Sequence, residues 1–109
     1  MKKIIAISLA LLSGCLHAEP IHKPVHECAE RGIYQAKSLL EFHFGPDDRI
    51  DIDENVTVLP PIKNPSNKKE KFDVLEFFGS INRGSYRIRL LYAPTRGTCV
   101  LVGQEVLEE

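Results

Sequence analysis

The sequence predicts an α+β domain in which one N-terminal helix packs on an antiparallel sheet of three to four strands, with one disulfide. Three observations carry this prediction. Apolar residues recur at helical spacing from Cys28 to Phe44. Extended segments with alternating or branched residues then follow one another, separated by Gly, Pro and Asn turns. Two cysteines, Cys28 and Cys99, stand at the two ends of this pattern.

The first eighteen residues form an export signal. Lys2 and Lys3 precede an apolar run from Ile4 to Leu12 broken only by Ser8, and small residues follow at Ser13, Gly14 and Ala18. Leu12-Ser13-Gly14-Cys15 has the form of a lipobox, whose cysteine is lipid-modified and becomes the mature N-terminus. Leu16-His17-Ala18 offers an ordinary cleavage site instead, so both cuts stay open. The expected division is a signal over residues 1–18, a polar tether over 19–24 and a single domain over 25–109. Without Lys2 and Lys3, 12 basic residues face 15 acidic ones, a formal charge of −3. A binder of nucleic-acid backbones usually shows a basic excess, so nucleic acid is not an expected partner. No later apolar stretch is long enough to span a bilayer, so membrane attachment would come through lipid at Cys15.

Pro24 suits the first turn of a helix, with Glu27 and Glu30 near its positive end. Cys28, Ala29, Gly32, Ile33, Ala36, Leu39, Leu40 and Phe44 lie on one stripe, and Tyr34 falls on the outer face. Gly32 and Ala36 are small enough to let a sheet approach closely. Gly45-Pro46 ends the helix, because glycine permits a left-handed cap and proline cannot continue the hydrogen bonding.

Four extended segments are expected. Ile50 to Leu59 stops at Pro60-Pro61, and Lys63 to Lys71 reads as the longest polar connection. Phe72 to Ile81, apolar on both faces, reads as an interior strand, and Asn82-Arg83-Gly84 turns the chain. Ser85 to Tyr92 points Tyr86, Ile88, Leu90 and Tyr92 one way and Arg87 and Arg89 the other, and Thr98 to Leu107 is the last strand. Phe77 and Phe78 are adjacent and must face opposite sides. In an exported domain Cys28 and Cys99 are expected to pair, which pins the helix start to the last strand across 71 residues and adds roughly 4 kcal/mol on a chain-entropy argument. A helix followed by an antiparallel meander resembles the cystatin-type roll in outline, and element order by itself transfers no function.

Several constellations invite chemistry. His22, His26 and Cys28 are soft ligands, but a bridged Cys28 cannot coordinate and two histidines on a tether are usually solvated, so no metal or other cofactor is expected. The acidic run Asp47, Asp48, Asp51, Asp53, Glu54 lacks the glycine and bidentate glutamate of an EF-hand. It reads as a solvated strand edge with Ile50 and Ile52 turned inward. Glu76 with Arg87 or Arg89 after a helix resembles the barnase type of microbial ribonuclease, yet the late histidine of that family has no counterpart, since His43 is the last one. A cross-strand ion pair accounts for the same three residues.

The expected role is therefore a non-enzymatic, exported domain, lipid-anchored at the outer membrane and facing the periplasm, that binds a protein or an envelope component as an inhibitor, immunity or assembly factor. Its candidate surface is Arg87, Arg89 and one of Phe77 or Phe78, with Tyr34 as a second place. The alternatives are a soluble periplasmic or secreted location, a small hydrolase or nuclease using Glu76, and a metal-binding protein using His22 and His26.

Overall fold

The computed structural model describes residues 26–109. Cys15, His22 and Pro24 lie outside the described residues. One helix, α1 (Ala29–Phe44), precedes five strands, β1 (Ile50–Ile52), β2 (Thr57–Asn64), β3 (Asn67–Ile81), β4 (Gly84–Tyr92) and β5 (Leu101–Glu108), in a single antiparallel sheet. β3 is the central strand. β4 lies on one side of it, followed by β5, while β1 and β2 share its other side. The predicted first strand is thus broken in two by residues 53–56, which accounts for five strands where three to four are expected.

α1 starts at Ala29, with Cys28 at its N-cap. A turn at His26 leads into it: the Cys28 N–H donates to Nδ1 of His26 at 3.0 Å and the Ala29 N–H to the His26 carbonyl. At the other end Gly45 takes φ 84°, and its N–H donates to the Glu41 carbonyl. The stripe Ala29, Gly32, Ala36, Leu39 and Leu40 is buried against the sheet. Gly32 has to be glycine for packing, because a Cβ there would run into the Phe77 ring. Gly79 plays the matching part on β3, where a Cβ would come within 2.9 Å of both Ile52 and Leu40. Leu40, Leu75, Phe77, Ile88 and Leu90 form the fully excluded centre, and the Phe44 ring packs against Tyr86, tilted by 44° with centroids 4.9 Å apart, where the helix ends.

Cys28 and Cys99 are bridged, with Cα atoms 5.6 Å apart, so the helix start is fixed to the approach to β5 as expected. Ile50 and Ile52 point inward with Asp51 exposed between them. The tight turn between β3 and β4 sits at Asn82, which adopts φ 55°, a conformation asparagine tolerates.

One expectation fails. Lys63 to Lys71 is not a loop: β2 runs on through Pro60-Pro61 to Asn64, and β3 begins at Asn67, making a long hairpin with Pro65-Ser66 at its tip. The prolines are admissible because β2 is an edge strand and the ladder shifts register between Leu59 and Ile62, so no hydrogen bond to a neighbour is forfeited. Asn64 and Asn67 hold the tip through their side chains, accepting from the Ser66 and Lys69 N–H groups at 2.9 and 3.2 Å.

Candidate functional site

Strand alternation gives the sheet two unlike faces. Opposite the helix, register sets Glu76 across from Arg89 and Phe78 across from Arg87 on β3 and β4, and Arg87 and Arg89 across from Leu107 and Glu105 on β5. The result is a ladder of charges. Nε of Arg89 donates to Oε2 of Glu76 at 2.8 Å, and Nη1 of Arg89 lies 3.5 Å from Glu105. Nη2 of Arg87 donates to Oε2 of Glu109 at 2.7 Å, and its Nε stands 3.7 Å from Glu76, buried and without a hydrogen-bond partner. The carboxylate of Glu76 holds the Arg89 guanidinium above its ordinary range, chiefly by that hydrogen bond. Glu76 itself is buried, 7% exposed, beneath the two arginines. The Arg87 guanidinium carbon lies 5.9 Å from the centre of the Phe78 ring, so the half-buried aromatic floors the cluster.

Of the candidate interaction residues, Arg87, Arg89 and Phe78 are brought together. Phe77 is excluded from the group: it faces the helix and is fully buried. Tyr34, 69% exposed, stands away from them on α1, near Tyr92, Cys99 and Leu101.

Next to the charge ladder lies a feature absent from the sequence reading. Leu59, Pro60, Ile62, Val74 and Leu91 line a shallow hollow of about 380 Å³, with Arg89 and Glu105 on its rim. Once Pro60-Pro61 is taken as a strand end, Ile62 falls in a loop and this group cannot be seen. Simple alternation would put Leu59 and Ile62, three residues apart, on opposite faces; only the register shift at the prolines brings both to this side, across from Val74 and Phe72. The hollow and the ladder together form a surface with an apolar floor and a fixed pattern of charges, suited to recognition of an apolar side chain flanked by polar groups.

The catalytic and metal alternatives meet different surroundings. Both Glu76 and the arginines are engaged with one another, and neither described histidine reaches them. His26 donates from Nε2 to Asp73 at 2.8 Å while its Nδ1 accepts from Cys28, so both ring nitrogens serve the helix start. His43 is at the far end of α1, between Phe42 and Phe44. Among the described residues no three His, Cys, Asp or Glu side chains are grouped to hold a metal ion, and no helix is long and apolar enough to cross a membrane.

The chain matches no protein-family model, no curated protein and no solved structure.

Proposed function

We propose that this protein is a non-enzymatic binding module, exported and lipid-anchored at Cys15, that engages a protein or envelope component through the sheet face opposite the helix. The observation that carries the reading is the juxtaposition on that face of the Leu59, Ile62, Val74 and Leu91 hollow with the Glu76, Arg87 and Arg89 ladder. An arginine beside a half-buried aromatic and an apolar hollow is the composition that interface hot spots favour. A hydrolytic role is less well supported, because Glu76 is committed to two arginines and has no second proton-transfer group beside it.

The test is recovery of a partner from envelope extracts by the mature chain. Leu91→Lys, placed in the hollow, is expected to lower recovery at least about tenfold, as a hot-spot change does, with the melting transition kept. Arg87→Gln serves better than charge reversal, since a glutamate at position 87 would face Glu76. Recovery unchanged in Leu91→Lys and Arg87→Gln alike would move the site, and the surface around Tyr34 would be examined next. Intact-mass measurement of the exported protein checks the anchor separately: an unmodified species starting at Glu19 overturns it.

A further inference from the structure

The hairpin arm formed by β2 and the first part of β3 carries charge unlike the rest of the molecule. Residues 62–72 hold Lys63, Lys68, Lys69 and Lys71 against the single acid Glu70, a formal +3. The remaining described residues hold seven basic against thirteen acidic side chains, a formal −6. The arm is also bare. β2 and β3 pair only with each other there, and from Pro60 to Lys71 every residue but Asn64 is exposed.

Two observations give this segregation a direction. Lys63 and Lys71 are directly opposed across the ladder, an arrangement in which like charges repel and which a bound anion relieves. Neither lysine is paired among the described residues: adjacent Glu70 makes no ion pair with them, and Asp73, two residues beyond Lys71 on the same side of β3, is taken by His26 at 2.8 Å. That same contact fixes where the chain departs toward its N-terminus. His26 lies at the root of the arm, and the ten residues between Cys15 and His26, eleven Cα steps, can span at most about 40 Å.

We propose that the β2–β3 arm is a membrane-contacting element, whose four lysines engage the phosphoryl headgroups of an anionic bilayer beside the point where the chain leaves for Cys15. The placement next to an anchor rests on the lipid-anchored reading; the binding of headgroups does not. Basic side chains near an anionic surface each add attraction that acts within a Debye length, and the acidic remainder of the domain is repelled by the same surface. The two effects turn the molecule arm-first toward the bilayer. The outer-face hollow begins at Ile62, so an arm-down orientation also sets the proposed binding face at a defined height above the membrane.

The experiment uses the chain beginning at Glu19, which lacks any lipid, so that its failure is distinct from failure of the anchor. Co-sedimentation is measured with vesicles of phosphatidylcholine alone and with about one-third phosphatidylglycerol, at low and high salt. The expected result is binding to the anionic vesicles only, lost at high salt. Lys63→Gln with Lys71→Gln should lower the partition coefficient about thirtyfold, and neutralising all four lysines should abolish it. Lys37→Gln with Arg83→Gln removes two charges elsewhere and should change it less than about threefold. Melting curves confirm that each variant is folded. Equal binding to neutral vesicles, or equal loss in the Lys37 and Arg83 control, overturns the proposal. Inorganic phosphate or polyglutamate bound saturably at the arm in preference to the anionic vesicles would overturn it too, assigning the lysines to a soluble anion or an acidic protein.

Discussion

On the helix side of β3 and β4, Leu75, Phe77, Ile88, Leu90 and Tyr92 are almost wholly excluded from solvent, whereas the other side of the same two strands carries Glu76, Phe78, Arg87 and Arg89. The residues alternate one by one, so a single register generates both surfaces. The first derives its strength from apolar area removed from water, which is non-directional and tolerates no polar intrusion. The second is held by directed pairs between Glu76, the two arginines, Glu105 and Glu109, whose geometry matters more than their net contribution to stability. The domain is thus stabilised from one side of its sheet, and the other side is left free to carry a chemical pattern.

The largest expected effect separates Phe77 from Phe78. Phe77→Ala removes a ring that fills the space above Gly32 and should lower stability by about 3 to 5 kcal/mol, while Phe78→Ala on the half-buried face should lower it by about 1 kcal/mol. Urea denaturation of the two variants measures the contrast, and similar midpoints would break the distinction between the faces. Next in size is the bridge. Cys28→Ser or Cys99→Ser frees the start of α1 from the approach to β5 and should lower stability by about 2 to 4 kcal/mol, read from the same denaturation midpoint. Because Cys28 is itself buried against the core, the loss should sharpen the comparison: the packed face loosens, and the charge ladder on β3, β4 and β5 persists.

Most of the packed face was legible in the sequence. The stripe from Ala29 to Leu40, the alternation from Tyr86 to Tyr92, the glycine at the helix end and the cysteine pair all arise from local periodicity or from chain chemistry, which a sequence displays directly. The patterned face was legible in part. Alternation turned Arg87 and Arg89 outward and required one phenylalanine to join them, but only the register of β3 against β4 selects Phe78 and sets Glu76 against Arg89. The arm was hidden because two prolines and a polar, lysine-rich stretch are ordinary loop signals. Edge position and a register shift reverse their meaning, and both are properties of the pairing, not of the segment.

A smaller effect tests whether the ladder adds stability at all. Glu76→Gln keeps the shape and one hydrogen bond but leaves Arg87 and Arg89 without their shared countercharge, and should lower stability by about 1 to 2 kcal/mol. Raising salt should narrow the difference between wild type and variant, as screening weakens the pairs on both. For Phe77→Ala no such narrowing is expected, so salt dependence distinguishes the faces even where magnitudes overlap. Any hydrolytic activity that persists in Glu76→Gln cannot use this carboxylate as its acid or base.

The smallest effects come from pH, and they reach different parts of the molecule from opposite ends of the scale. Tyr92, 3% exposed on the helix side, has its phenol pushed above the ordinary value of 10 by burial, with Arg31 opposing the shift. A raised value in the folded state means that the unfolded chain loses this proton first, so the contribution of Tyr92 is complete below pH 10 and declines as pH rises past it. Tyr92→Phe should flatten that alkaline decline. At the acid end, Asp47 in the turn before β1 is lowered from 3.8 to about 2, because the Arg49 side chain and its N–H both donate to the carboxylate. Here the folded value is depressed, so the contribution is present above pH 4 or so and is lost as pH falls toward 2. Asp47→Asn should therefore melt slightly below wild type at neutral pH and coincide with it near pH 2. Over the alkaline range that challenges Tyr92, Arg89 keeps its charge, since the hydrogen bond to Glu76 raises it above its already high ordinary value. Melting curves between pH 10 and 12 should accordingly show the packed side weakening before the charge ladder does, and a Tyr92→Phe variant that declines as steeply as wild type would place the alkaline weakness on the outer face instead.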